Sequence, residues 1–183
     1  MLQKKDVLQL IELCKSGDRK AQQKIFDLKK DELFAICKRY SKNQSEAEDM
    51  LIEGFTKIFK HIDTYAYGDF DSWTKRIIIN TCINIYNRES KRRENEIVLE
   101  EIYEEIEITS DVEYSYEDLS HCLEQLNDKH RTIFNLFAID GYKSKEIAEI
   151  LNISNDSVRT TLHRSRLKLQ QLLSDIDKNR RAK

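Results

Sequence analysis

The stretch Tyr142-Lys143-Ser144-Lys145-Glu146-Ile147-Ala148-Glu149-Ile150-Leu151-Asn152-Ile153-Ser154-Asn155-Asp156-Ser157-Val158 has the pattern of two helices joined by a tight turn. Ser144 is placed to cap the first helix, and Ser154 to cap the second. Ala148 is small where the two helices must cross closely. Asn152 tolerates the left-handed backbone that the turn requires. The second helix continues with Val158, Leu162, Ser165, Leu169 and Leu172, spaced 4, 3, 4 and 3 residues apart. That spacing makes one buried stripe. Arg159, Thr160, His163, Arg164 and Arg166 fall on the remaining faces. A DNA major groove admits one helix, and arginine is the usual reader of guanine edges. Arg159 and Thr160, near the helix start, are the base-edge candidates. Lys143, Lys145 and Arg164 are the phosphate candidates.

Outward from this motif, composition points to helices throughout. The 183 residues include no proline and four glycines, with 35% charged residues. Hairpin turn signals are therefore scarce, while i, i+3, i+4 apolar spacing recurs. The fold class predicted is all-α. No apolar run approaches the ~18–20 residues of a membrane span. The start, Met1 to Asp6, has no apolar signal core, which predicts a cytoplasmic protein. Cys14, Cys37, Cys82 and Cys122 form no CxxC pair, and the four histidines form no HExxH or ExxH. Reduced, buried thiols and no metal or other cofactor are expected. With no nucleophile–base pair or glycine-rich phosphate loop either, the chain does not read as an enzyme.

The formal net charge of -2 argues against nucleic acid only when summed over the whole chain. Residues 1–93 carry 19 basic and 14 acidic side chains. Residues 94–118 carry 11 acidic side chains and no Lys or Arg. Residues 119–183 carry 12 basic and 8 acidic. Two basic blocks thus flank an acidic connector. The organisation predicted is two small helical domains, residues 1–93 and 116–183, joined by an acidic linker over 94–115. The second domain reads as four helices near 116–126, 128–139, 144–151 and 154–174.

In the first domain, Ser16-Gly17-Asp18 reads as a helix stop followed by a new cap. Ser45 with Glu48 fits a capping box at the start of a third helix. A loop rich in aromatics follows, and then a fourth helix over about 72–92. That helix carries Arg76, Asn80, Asn84 and Arg88 at steps of four. Asparagine gains little on a solvated helix face but suits hydrogen bonding to bases. Tyr65, Tyr67, Phe70 and Trp73 lie just upstream. Aromatic faces beside a polar helix suit unpaired bases, each stack being worth ~1–3 kcal/mol. A base held outside the duplex also needs a pocket to offset unstacking. The competing reading is that these rings fill the core.

With these residues in hand, the chain resembles the extracytoplasmic-function (ECF) sigma factors of bacterial RNA polymerase, over about residues 20–93 and 115–174. The segment Ala47 to Phe59 is similar to that family's core-binding helix. Phe70 to Asn80 is similar to its promoter-melting segment. Glu146 to Arg166 is similar to its -35-reading helix-turn-helix. The resemblance implies that Asp49, Glu53 and Phe55 face the polymerase β′ clamp helices. It implies that Asn80, Asn84 and Arg88 lie along the -10 element, with the loop from Tyr65 to Ser72 holding a flipped base. It places Lys143, Ser144, Arg159, Thr160, His163 and Arg164 against the -35 element. The chain departs from the family's usual pattern at Glu53, where Gln is common, at Asn84, where Asp is common, and at Thr74, where a larger apolar residue is common.

The implied function is binding core polymerase (β and β′ subunits), directing it to promoters and helping to melt the -10 region. The implied partners are core polymerase, promoter DNA and an anti-sigma factor, which can hold such a protein at the membrane without membrane insertion. The acidic stretch 94–118, 25 residues long, extends to at most ~80–90 Å. That exceeds two DNA turns of ~34 Å each. Its acidity suits a positively charged nucleic-acid channel. The residues alone leave two alternatives open: a stand-alone helix-turn-helix regulator, and a helical adaptor without DNA binding.

Overall fold

The computed structural model describes residues 4–66, 68–92 and 114–181. All regular structure among them is helical. The chain divides into two units, Met1–Glu89 and Ser90–Lys183. Residues 93–113, most of the connector, and Tyr67 lie outside the described residues.

The first unit has four helices: α1 (Lys4–Lys15), α2 (Arg19–Tyr40), α3 (Gln44–Lys60) and α4 (Phe70–Arg92). Gly17, at φ 82°, stops α1 in the left-handed conformation that glycine adopts at no steric cost. The Asp18 side chain then caps α2, accepting from the Ala21 N–H at 2.8 Å. The Ser16-Gly17-Asp18 expectation therefore holds. The expected Ser45 cap does not. Asn43 is the cap of α3 and accepts from the Glu46 N–H at 2.9 Å. Glu46 in turn accepts from the Lys42 N–H at 2.6 Å. Asparagine matches serine as a cap, and here the returning carboxylate sits three residues after Asn43.

The core of this unit contains Ile25, Leu33, Cys37, Met50, Ile58, Ile78 and Cys82, all at 2% exposure or less. Each buried large aliphatic contributes roughly 1.5–3 kcal/mol. Packing at Gly54 is the tightest constraint. Its backbone lies against Ile78, and a Cβ there would collide with the Ile78 Cδ1. Ile78 is fully buried, so its side chain would have to shift within the core to make room. Gly54→Val is expected to destabilise the protein by about 2 kcal/mol through overpacking. Chemical denaturation checks this: an unchanged midpoint would mean that Ile78 repacks without strain.

The second unit has α5 (Tyr116–Glu124), α6 (Asp128–Phe134), α7 (Ser144–Leu151) and α8 (Asn155–Arg181). The capping box of Ser115 with Asp118 opens α5. A single π turn, Asn135–Ile139, follows α6 and is closed by Asp140 N–H to Asn135 O at 2.9 Å. α5, α6 and α7 all pack on α8. Ile133, Leu136, Ile147 and Val158 are fully buried.

α8 runs seven residues past the predicted end at 174. Contacts distant in sequence hold the extension. The Tyr114 hydroxyl donates to Asp177 at 3.0 Å, and Arg180 donates to Asp118 at 2.7 Å. The Ser115 N–H, together with Arg180, keeps the Asp118 carboxyl below the usual carboxylate range. All four cysteines are buried free thiols. Burial, aided by Asp18, pushes the Cys14 thiol up to about 11.

Candidate nucleic-acid interface

The helix-turn-helix forms much as its residues indicate. Asn152 sits at φ 53°, ψ 48° and ends α7. The Ser154 Oγ accepts from the Ser157 N–H at 3.1 Å and caps α8. The expected Ser144 cap is corrected. Ser144 is the first residue of α7 and Lys143 is its cap position. The Glu146 carboxylate accepts the Lys143 N–H at 2.7 Å, so a returning acid does the work expected of a serine hydroxyl. Val158, Leu162 and Ser165 are buried, while Leu169 and Leu172 are half-buried. The stripe therefore faces the unit as its spacing indicates.

On the other faces of α8, Arg159, Thr160 and His163 are exposed and Arg164 is half-buried. Lys143 is exposed and Ser144 half-buried at the entry to α7. Ser144, Arg159 and His163 come together around a shallow cleft of about 220 Å³. Lys143, Thr160 and Arg164 lie outside its lining. Phe137, Leu162 and Arg166 complete it, with the Arg166 guanidinium 5.8 Å from the centre of the Phe137 ring. Phe137 is missed by sequence reasoning because the π turn that presents it has no periodic signature.

In the first unit, Arg76, Asn80, Asn84 and Arg88 are all exposed on α4. The helix's opposite side, with Thr74, Ile78, Thr81, Cys82 and Ile85, is buried. Steps of four residues advance ~6 Å and turn ~40°. The stripe thus winds by about 120° from Arg76 to Arg88, with Asn80 and Asn84 as its central, nearly aligned pair.

The aromatic loop is more internal than its composition indicates. Tyr65 and Phe70 are 5% and 6% exposed and pack into the core with Leu10, Ile11 and Ile25. Their rings meet edge-on at 5.3 Å. The expected base-stacking role of Tyr65 and Phe70 is corrected on that ground: neither offers a free face in this conformation. The reason is that the 3₁₀ turn Ile62–Thr64 folds the loop back onto the unit's core. Trp73 is half-buried, stacked on Phe70 at 5.8 Å and tilted on Tyr65 at 5.5 Å. It remains partly exposed.

Local hydrogen bonds shape the same loop. The Tyr65 hydroxyl donates to the Gly68 carbonyl at 2.7 Å. Asp69 accepts from the Ser72 hydroxyl at 2.6 Å and from the Asp71 and Ser72 N–H groups, which hold its carboxyl below the usual range.

On α3, Asp49 is exposed and Glu53 is half-buried, bonded to Lys57 at 2.7 Å. Phe55 is 4% exposed, between Phe26 at 4.6 Å and Phe59 at 5.8 Å. The expectation that it faces a partner is corrected, because it lies on the buried side with Leu51 and Ile58. The large apolar residue that is exposed on α3 is Ile52. It is 62% exposed on the face shared by Asp49, Glu53 and Thr56. An apolar residue out of phase with the core stripe was the available signal.

Known proteins match both units. The family described as "Sigma-70 region 2" matches residues 25–92, and "Sigma-70, region 4" matches residues 116–169. The ECF RNA polymerase sigma factor SigW of Bacillus subtilis is 32% identical over 180 residues, which cover 91% of this chain and 96% of SigW. The chain belongs to the ECF sigma factors. It is a promoter-directing factor of RNA polymerase, and its partners are the polymerase core and promoter DNA. ECF sigma factor SigE of Mycolicibacterium smegmatis is 28% identical over 151 residues, covering 79% of this chain and 58% of that protein. The sigma factor RpoE of Bartonella quintana, crystallised with the anti-sigma factor NepR, superposes with a TM-score of 0.50 at 20% identity. That likeness spans 83% of this chain and 96% of RpoE, and shows a common all-helical fold. Membership in the family sets aside the stand-alone regulator and the adaptor. Among the described residues no helix is long and apolar enough to cross a membrane, and no cluster of His, Cys, Asp and Glu could hold a metal ion.

Proposed function

We propose that the labour of this ECF sigma factor is divided along its sequence, with residues 1–93 for core and -10 contacts, 94–115 as connector and 116–183 for the -35 element. Asn80 and Asn84 hydrogen-bond bases of the melted -10 strand, flanked by Arg76 and Arg88 on its phosphates. The loop from Tyr65 to Ser72 holds an unstacked base. Within it Tyr65 and Phe70 set the loop's shape and Trp73 presents its exposed part. Tyr67 belongs to this reading by sequence alone. Asp49, Ile52 and Glu53 make the core-polymerase face. Lys143 and Arg164 bind -35 phosphates, while Arg159, Thr160 and His163 face base edges beside Ser144.

The observation that carries the reading is the exposed Asn80–Asn84 pair on a helix whose other side is core. An amide pair kept on a solvated face has no packing role to explain it. The acidic connector is read as a mimic of nucleic acid within the polymerase. Duplex binding is weak without core enzyme under this reading, and the chemistry of initiation stays with the polymerase. The protein acts in the cytoplasm, with an anti-sigma factor as its regulatory partner.

The test is run-off transcription with core polymerase on a promoter library. Promoter-specific transcripts are expected, and no signal above core alone would overturn the reading. The same library tests the -35 assignment. Arg159→Ala is expected to cost roughly 1–3 kcal/mol at one -35 base pair, the range of a bidentate arginine–guanine contact. A loss spread evenly over all sequences would reassign Arg159 to phosphate.

A further inference from the structure

The first turn of α4 is tied to α2 by a chain of four alternating charges. The Lys29 ammonium meets Asp71 Oδ1 at 2.6 Å and Glu32 Oε2 at 2.9 Å. The other Glu32 oxygen meets the Lys75 ammonium at 2.6 Å. Lys29 and Glu32 lie three residues apart on α2, while Asp71 and Lys75 lie four apart on α4. Two pairs therefore cross between the helices and one closes them on α2. The Lys29 side chain is only 15% exposed, whereas the other three members of the network are 41–49% exposed.

Burial opposes the charge on Lys29. Its bonds to Asp71 and Glu32 outweigh that and hold the ammonium above its ordinary value. The bonds from Lys75 and Lys29 hold the Glu32 carboxyl below its own.

The position of this network matters more than its strength. Asp71 follows directly on Phe70 and Asp69, which close the aromatic loop. Nine residues separate Asp71 from Asn80, about two and a half helical turns. A shift of the first turn of α4 would move the loop and the asparagine stripe together. Asp71, Glu32 and Lys75 stay substantially exposed, and pairs with such solvated members contribute little to folding, about 0–1 kcal/mol each. Removing such a network from a four-helix unit with a well-filled core leaves the fold standing. Misplacing a binding constellation is costlier, since sites need their supporting groups held closely.

We infer that Lys29, with Asp71, Glu32 and Lys75, is a positioning device for promoter opening: it fixes the start of α4 so that the loop and Asn80 meet the unpaired strand in register. This inference rests on the proposed -10 role of that loop and helix.

The test uses the full chain with core polymerase on a duplex promoter. Open complex is read by permanganate reactivity of -10 thymines, alongside core affinity and the thermal midpoint. Lys29→Gln and Asp71→Asn are each expected to slow opening about tenfold, the scale of coupling inside one ion-pair network. The double variant is expected to be no slower than the worse single, since either change breaks the same link. Core affinity is expected to be unchanged, and Lys29→Arg, which keeps the charge, to retain opening. Normal opening in Lys29→Gln, additive losses, or a loss that tracks the thermal midpoint would each overturn the inference. Asn80→Ala in the same assay separates the two levels. If it opens normally, the -10 reading itself fails. If it is impaired while Lys29→Gln opens normally, only the positioning role fails.

Discussion

Replacing Asn80 and Asn84 together by alanine is expected to lower open-promoter formation about a hundredfold while leaving folding and core binding intact. Each amide that hydrogen-bonds a base edge is worth roughly 1–3 kcal/mol of recognition, and every ~1.4 kcal/mol is a factor of ten. Two contacts of about 1.4 kcal/mol give the hundredfold figure. On the protein side the double change is nearly free. Both residues are exposed, so truncation opens no cavity. Alanine is also the better helix former by up to ~0.7 kcal/mol per residue. Trp73→Ala would be less informative. Its ring packs against Phe70 and Tyr65, so its loss would disturb the loop as well as any stacked base. Permanganate footprinting of the -10 thymines, with nuclease protection of the -35 element measured in the same complexes, checks the result. Equal losses at both elements would mean that the asparagines act on assembly, and undiminished opening would remove them from the interface.

Much of the architecture could be read from local chemistry. Gly17 and Asp18 end one helix and begin the next because a left-handed glycine and a capping carboxylate each act within a few residues. Asn152 and Ser154 shape the helix-turn-helix turn for the same reason. The stripe from Val158 to Ser165 and the exposed line from Arg76 to Arg88 follow from helical period alone. What stayed hidden has three physical sources.

Period sets the relative phase of residues but not which side faces a neighbour. Phe55 is a contact residue by resemblance alone: its spacing from Leu51 and Ile58 is that of the buried stripe, and Ile52 lies off that phase. Caps compete locally, and the choice of Asn43 over Ser45, and of Glu46 and Glu146 as returning acids, depends on which partner lies three residues on. Contacts distant in sequence have no local signature. The Tyr114–Asp177 and Arg180–Asp118 bonds that extend α8, the Lys29 network, and the collapse of Tyr65 and Phe70 into the core all belong there. The aromatic loop is the sharpest case. Its composition fits stacking platforms and core filling equally well, and only the fold separates Trp73 from the two rings beneath it.

The same contrast of faces yields the other large effect. Val158→Asp is expected to unfold the second unit and abolish -35 recognition, whereas its neighbour Arg159→Ala leaves the unit folded. The two positions are ~100° apart on one helix. Val158 is fully buried in the stripe by which α8 holds α7, and Arg159 faces solvent. A carboxylate placed there has no partner, and an uncompensated buried charge costs about 3–5 kcal/mol. A core built from fewer than ~70–80 residues rarely supplies more than ~3–5 kcal/mol in all. One substitution therefore exhausts the stability of this unit. The protein carries its own reporter of where the damage stops. Trp73 is the chain's one tryptophan and belongs to the first unit, packed against the cluster of Leu10, Ile25, Tyr65 and Phe70. Far-ultraviolet circular dichroism should lose the share of helix contributed by α5 to α8, while Trp73 emission stays native. Emission that shifts together with the loss of helix would mean the two units unfold as one cooperative body. Full retention of helix would mean that the Val158 stripe does not hold α8 in place.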